Sequence, residues 1–445
     1  MKSPRALAME VLLAREKSHA PLDRVLEEAC CASQLADPRD RQLAMALAYG
    51  VMRWQGWLDQ VLGELASHPL AKMKPLTRAA LRVGLFQLFC LERVPPAAAI
   101  NETVQALRQA GQPKWLVGFV NGVLRAAARA SSRFAPPDAA AALASHPAWL
   151  VARWHELFGP ARTNAICWAN NQEPPLVVRI EPDKSPVAAF ISQLTEAGLA
   201  TAEPGRYAPA AVRIEGWRGP VASLPGYHEG LFQVQDEAAQ LVVPLLGALP
   251  EEGRGLDACA GLGGKTVQWA ALLAPSARLT AVEPNLRRLG LLAENLHRAG
   301  LPPMETFQGE LAAFVQTNPP LYDAVLVDAP CSGLGVIRRQ PDIRWERSLD
   351  ELGRYQARQR ELIAAAAGLV RPGGVLVYAT CSIDPLENDA VIEAFLADHQ
   401  NFLLSPAQEH LPASARSLVD PKGFLRTSPE QGLDGFFAAR LEKTK

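Results

Sequence analysis

From about residue 236 to the end of the chain, strand-like and helix-like segments alternate with a regularity that few folds permit. GLDACA, RLTAVE, ETFQGE, YDAVLVDAP, GGVLVYATC, NFLLSP and GFFAARLEK read as strands, and helices fit between the first five. Strand, helix and strand joined by short connections predict parallel strands linked by crossovers, a mostly parallel, doubly wound α/β sheet of Rossmann-like type. Ligands in such a sheet gather outside the carboxyl ends of the strands. Those ends carry polar or reactive clusters here, so strand order alone collects a candidate site.

The rest of the chain has a different texture. Residues 1–135 show apolar residues at three- and four-residue spacing, as in RQLAMALAYGVMRWQGWLDQVLGEL and LTRAALRVGLFQLFCLERV, and so predict an all-α domain. Breaks are expected at Ala36-Asp37-Pro38, His68-Pro69 and Pro95-Pro96. A Pro- and Ala-rich stretch, FAPPDAAAALASHPAWL (134–150), reads as a boundary, so 136–171 is expected to be a linker and a helix. PLVVRIEP (175–182), SPVAAFISQLTEAGL (185–199) and AVRIEGW (211–217) then read as strand, helix and strand, a small α+β module at 172–235. The doubly wound domain fills 236–445.

Charge and cysteine content narrow the classes. The 445 residues carry a net charge of −1, which favours no partner. Residues 1–135 alone hold 18 basic and 11 acidic side chains, a net of +7, and a basic end suits a polyanion. No apolar run reaches the length of a membrane span, and MKSPRALAMEVLLAREKSHA reads as an amphipathic helix, not a signal peptide. The seven cysteines show no CxxC spacing, which argues against a disulfide framework or a metal site. A cytoplasmic protein with free thiols, no metal and no membrane partner is expected, as a monomer.

At the first strand end, DACAGLGGK (257–265) places Gly261, Gly263 and Gly264 in a turn that lets a ligand approach the backbone and leads onto a helix N-terminus. It is neither GxGxxG nor a P-loop. The second strand ends at Glu283, about 20 positions on, where a carboxylate suits ribose hydroxyls. The third ends at Glu310, within reach of a base amino group. Two acidic strand ends beside a glycine turn suit an adenosine-containing ligand that needs no pyrophosphate clamp.

The fourth strand runs into Asp328-Ala329-Pro330-Cys331-Ser332 and the fifth into Thr380-Cys381-Ser382. Neighbouring strands lie about 5 Å apart, so both thiols are expected in one pocket with Asp328. Carbon 5 of cytosine is a poor nucleophile, but a thiolate adding to carbon 6 makes it one, and a base must then remove the carbon-5 proton. Asp328 and the two thiols could supply these parts, with the division between the thiols left open by position. Cys30, Cys31, Cys90 and Cys167 read as small buried hydrophobes. Cys259 is expected to pack or to line the ligand pocket. Asn318-Pro319-Pro320-Leu321 precedes the fourth strand and reads as a loop, not as an amino-methyltransferase motif.

DACAGLGGKT, DAPCSGLGVIRRQPDIRW and YATCSIDPLEND resemble the cofactor loop and the two cysteine motifs of RNA cytosine-5 methyltransferases. AINETVQALRQ and FVNGVLRA resemble a NusB-type RNA-binding domain. The fusion resembles the bacterial 16S ribosomal RNA cytosine-5 methyltransferase B family, also called Sun or Fmu. The resemblance implies a NusB-like all-α domain, a small RRM-like α+β module and a Rossmann-like S-adenosylmethionine methyltransferase domain. It implies that Cys381 attacks carbon 6, that Cys331 assists release, and that Asp328 contacts the cytosine and the methionine end of the cofactor. By the same resemblance Cys259, Ala260, Gly261, Leu262, Gly263, Gly264 and Lys265, with Glu283 and Glu310, hold S-adenosylmethionine. The chain departs from the family in CAGLGGK for the common CAAPGGK, and in glutamates at 283 and 310 where aspartate is common. Arg338, Arg339 and Arg344 are expected on 16S ribosomal RNA phosphates, with Trp345 nearby for stacking or packing. The base would have to leave any stack to reach Cys381. A non-catalytic RNA-binding protein is opposed by the intact Asp328, Cys331 and Cys381 set, and a Rossmann oxidoreductase by the missing GxGxxG.

Overall fold

A computed structural model describes residues 3–33, 37–134, 136–217 and 219–444. Ala36, in one expected break, and Ala135, at the expected end of the helical domain, lie outside the described residues. By its contacts the chain divides into two compact units, Met1–Glu173 with Ile337–Arg347, and Pro174–Val336 with Ser348–Lys445.

The first unit is built of α1 (Pro4–Ser18), α2 (Leu22–Ser33), α3 (Pro38–Leu65), α4 (Pro75–Cys90), α5 (Pro96–Gln109), α6 (Lys114–Arg129), the single turn α7 (Ser131–Phe134), α8 (Ala139–Ala144), α9 (Ala148–Phe158) and α10 (Pro160–Asn170). Prolines open α1, α3, α4 and α5, where a missing N–H costs nothing, and the Ser3 and Asp37 side chains accept from first-turn amides. Along α3 the buried Leu47, Val51, Trp54, Leu58 and Leu62 recur every three or four residues, a stripe facing Leu81, Leu85, Leu107 and Leu124 in one core. Each such side chain contributes about 1.5–3 kcal/mol by leaving water.

The Pro- and Ala-rich stretch is not a linker. It folds as α8 and packs on α3, where a Cβ at Gly56 would lie 2.1 Å from the Ala144 carbonyl oxygen. Trp57 N donates to Ser145 Oγ at 3.2 Å, and α9 and α10 continue the same unit. Alanine-rich sequence suits a close helix contact as well as it suits a boundary, so composition could not separate the two. Of the cysteines expected inside, Cys30 and Cys167 are buried, Cys90 is half-buried and Cys31 is exposed.

The second unit begins with β1 (Leu176–Ile180), α11 (Val187–Glu196), β2 (Thr201–Pro204), β3 (Ala211–Glu215) and β4 (Phe232–Val234). Their sheet has the order β2-β3-β1-β4 with every neighbouring pair antiparallel, and β3 lies between β1 and β2, a split βαβ arrangement. The expected strands and helix are β1, β3 and α11. β2 and β4 are additional: β2 is short and exposed, and β4, with Phe232 and Gln233 buried, is only three residues long, too short to show alternation.

The larger sheet follows, through α12 (Glu237–Gln240), β5 (Arg254–Asp257), α13 (Gly264–Ala270), β6 (Arg278–Val282), α14 (Leu286–Ala299), β7 (Glu305–Phe307), α15 (Leu311–Gln316), β8 (Tyr322–Asp328), α16 (Ile343–Glu346, in the helical unit), α17 (Leu349–Leu369), β9 (Val370–Thr380), α18 (Asp389–Asp398), β10 (Phe402–Ser405), β11 (Leu425–Arg426) and β12 (Phe437–Lys443). Its order is β10-β12-β9-β8-β5-β6-β7, with β11 pairing to β12. β5 to β9 are parallel, and β12 is antiparallel to both β9 and β10. All seven expected strands are present, and the two-residue β11 is new. Val325 and Val327 enter one core while Ala324 and Leu326 enter the other, so both faces of β8 are covered and its middle, Ala324 to Val327, is continuously apolar. The chain steps from β5 outward through β6 and β7, then returns to β8 on the other side of β5. That reversal is the switch point at which a doubly wound sheet opens a crevice. No helix among the described residues is long and apolar enough to cross a membrane.

Candidate active site

The first side of the crevice is the turn between β5 and α13. Asp257 at its base is buried and accepts from Thr266 Oγ1 at 2.7 Å and Cys259 N at 3.2 Å. Burial pushes its carboxyl up to about 6. Buried Glu283, just past β6, accepts from Gly261 N at 3.1 Å and Asn285 N at 2.8 Å, and so fastens the turn to the next strand end. Gly261 and Gly263 have φ of +56° and +88°, which only glycine adopts cheaply. A Cβ added at Gly261 or Gly264 would meet nothing within 4 Å, and Leu262 is exposed, so one side of the turn is open. Cys259 is half-buried against the core under β5, and burial pushes its thiol up. Lys265 turns its side chain to Asp328, Nζ to Oδ2 at 2.7 Å, with the ammonium 4.9 Å from the centre of the Phe436 ring. Glu310 opens α15, is exposed, and pairs with Arg358 of α17.

The second side is made by β8 and β9, where Asp328 stands opposite Ala379. Three residues beyond one and two beyond the other, Cys331 Sγ and Cys381 Sγ lie 3.2 Å apart. The hydrogen bond with Cys381, and then burial, hold the Cys331 thiol well above its ordinary range. Gly335 joins three segments: its N–H donates to the Cys381 carbonyl at 3.0 Å, and its carbonyl accepts from Gly435 N at 2.7 Å. A Cβ at Gly335 would lie 2.0 Å from the Gly435 oxygen, so the approach requires glycine. Beneath the thiols a fully buried carboxylate, Glu387, accepts from the N–H and hydroxyl of Ser332, the hydroxyl of Ser382 and the amide of Gln359.

Known proteins match the chain from end to end. Residues 245–442 match the family described as 16S rRNA methyltransferase RsmB/F, residues 2–129 the NusB family, and residues 146–221 the ferredoxin-like domain of RsmF/B-like methyltransferases. A probable ribosomal RNA small subunit methyltransferase B of Synechocystis sp. is 35% identical, with 100% of both chains covered. The chain belongs to the RsmB/F family. Ribosomal RNA small subunit methyltransferase B of Pseudomonas putida is 36% identical over 99% of this chain and 98% of its own. The crystal structure of PH0851 superimposes with a TM-score of 0.79 at 25% identity, covering 99% of each chain. The protein is therefore an RNA methyltransferase with a NusB-like domain, a ferredoxin-like module and a Rossmann-like methyltransferase domain.

In this RsmB/F member the arginines after the first cysteine motif require a correction. Residues 337–347 belong to the helical unit. Arg344 has no exposed surface. Its guanidinium donates to Ser145 O at 3.0 Å, Asn171 Oδ1 at 2.6 Å and Asn170 O at 3.2 Å, and burial lowers it to about 9. Arg338 is also buried, its carbonyl held by Arg53 Nη2 at 3.0 Å. Neither can present its charge to RNA phosphates as expected from sequence. Arg339 is half-buried, and Trp345 packs on the helical core with Nε1 on Met52 O at 3.1 Å. Asp342 accepts from Leu22 N at 3.0 Å, and Glu346 pairs with Arg15 at 2.7 Å, so the whole segment is anchored.

Sequence reasoning also missed residues of the site. Glu387 lies within the quoted YATCSIDPLEND, but a charged residue after a proline turn reads as solvated. Phe436 and Gly435 come from the far end of the chain, and no local pattern links them to the glycine turn or the cysteines.

Proposed function

We propose that this RsmB/F methyltransferase moves a methyl group from S-adenosylmethionine to carbon 5 of a cytosine in 16S ribosomal RNA. Cys381 would attack carbon 6 and Cys331 assist release. The observation that supports this reading most is the pair of free thiols 3.2 Å apart at the ends of adjacent parallel strands. The residues present suit the cofactor. The glycine turn has an open side, the crevice lies at the switch point, and Glu283, Glu310 and Asp328 offer carboxylate acceptors for hydroxyl, amino and ammonium groups. The turn from Cys259 to Lys265 would hold it with those three acids, and when bound it supplies an electrophilic methyl on a sulfonium.

The chain's own residues do the rest. Cys381 as thiolate bonds to carbon 6, and the displaced electron pair makes carbon 5 nucleophilic. Asp328 sits beside Lys265, which keeps its carboxylate in place towards the base. While Cys381 is a free thiolate, Cys331 is its hydrogen-bond donor and stays protonated. Once Cys381 is bonded to carbon, the hydrogen bond it shared with Cys331 is gone, and Cys331 is the sulfur left free beside the base. Cys331 then releases its proton to solvent water, accepts the carbon-5 proton as the thiolate, and the electron pair of that C–H bond forms the carbon 5–carbon 6 double bond as the carbon–sulfur bond breaks and its pair returns to Cys381 Sγ. Free thiols suit a reducing compartment such as the cytoplasm.

The test is digestion of 16S ribosomal RNA after incubation with the protein and methyl-labelled S-adenosylmethionine. Label in 5-methylcytidine at one position is expected. Label in 4-methylcytidine or on ribose would overturn the reading.

A further inference from the structure

We propose that Glu387 is the positioning residue of the cysteine pair, fastening the Cys331 and Cys381 loops to each other so that their sulfurs meet at one place in the crevice. This rests on the cytosine-5 reading above. Ser332 and Ser382 immediately follow the two cysteines, and both are fully buried. Glu387 Oε1 accepts from Ser332 N at 2.8 Å and from Gln359 Nε2 at 3.1 Å. Its Oε2 accepts from Ser332 Oγ at 2.5 Å and Ser382 Oγ at 2.6 Å. The two hydroxyls lie 3.3 Å apart on that single oxygen. Gln359 donates also to Pro330 O at 3.0 Å, so α17 grips the Cys331 loop from a second direction.

A carboxylate with no exposed surface and no basic side chain paired to it among the described residues is costly to bury. A protein core would more cheaply place an apolar residue there, and four donors converging from two loops and a helix are what make the anion tolerable. The Glu387 backbone is itself held, since Tyr378 OH donates to its carbonyl at 2.7 Å, and the following Asn388 binds Thr380 Oγ1 at 2.6 Å and Ser382 O at 2.9 Å. The clamp is therefore rigid at its root as well as at its tip. Displacement of a reacting group by about 1 Å costs on the order of 100-fold in rate, and the shared carboxylate adds to the Gly335–Cys381 hydrogen bond in holding the two loops to that tolerance.

The experiment is steady-state methylation of 16S ribosomal RNA by Glu387→Gln, Ser382→Ala and the double variant, each checked for a cooperative unfolding transition. The amide of Glu387→Gln keeps the size but loses acceptor capacity on one side. It is expected to lower kcat by about 100-fold with KM for RNA within twofold. Ser382→Ala should lower kcat by about tenfold, and the double variant no further than Glu387→Gln alone, since both act through one clamp. A fall in stability with kcat unchanged, or additive losses in the double variant, would overturn the proposal. If Glu387→Gln does not fold, Ser382→Ala decides: a kcat equal to wild type refutes it. Wild-type protein that makes no 5-methylcytidine would refute the underlying reading instead, whatever the variants do.

Discussion

Cys331→Ala is expected to leave a covalent protein–RNA complex that survives denaturation, and Cys381→Ala to leave none and to make no methylated product. The asymmetry comes from the timing of bonds. Removing Cys381 removes the nucleophile, so carbon 5 is never activated and methylation falls below detection. Removing Cys331 leaves attack and methyl transfer possible, but the carbon-5 proton stays and the carbon–sulfur bond cannot break. The stalled species should migrate as a band shifted by the mass of the RNA on a denaturing gel and should need S-adenosylmethionine to accumulate fully. The 3.2 Å separation makes the roles interchangeable on distance alone. The adduct appearing with Cys381→Ala and not with Cys331→Ala would reverse them.

Arg344→Ala is expected to destabilise the helical unit by about 3 kcal/mol or more. Ser145 O, Asn171 Oδ1 and Asn170 O would each lose a donor inside the core, at about 1–3 kcal/mol apiece, and the vacated volume adds a cavity. Relief from burying a charge offsets part of this but not three orphaned acceptors. Arg344→Lys should rescue little, because an ammonium cannot reach acceptors spread across two guanidinium nitrogens. A fall in the thermal midpoint on the order of 10 °C follows for a unit of this size. The salt dependence of RNA binding, measured well below the midpoint, should be unchanged. A phosphate contact would behave oppositely, with an unaltered midpoint and a salt slope reduced by about one.

That arginine also marks where the sequence stops being legible. Strands β5, β6, β8, β9 and β12 announce themselves, because residues buried on both faces of a sheet leave apolar runs between turns, whereas the edge strands β7 and β10 are largely uncovered and are legible only from their place in the alternation. Asp328 ends β8, Cys331 sits just past it and Cys381 just past β9, so strand order predicts their meeting. Arg344 follows the same motif and is basic, which is equally the signature of a phosphate contact and of a guanidinium that gathers backbone carbonyls. Only the fold separates them, because its partners lie more than 170 positions away. Glu387 is hidden for a related reason: the chain does not state that Ser332, 55 positions earlier, will donate to it. Gly56 and the alanines of α8 show the same ambiguity on the apolar side, where small residues serve loops and close helix contacts alike.

The central claim is that the methyl group goes to carbon 5 with loss of the proton there, through a covalent intermediate. It is tested most directly with 16S ribosomal RNA carrying tritium at carbon 5 of its cytosines and carbon-14-labelled methyl on the cofactor, both counted in one tube. Transfer to carbon 5 predicts one tritium released to water for each methyl incorporated at every time point. Methyl incorporation without tritium release would place the methyl on another atom and contradict the account.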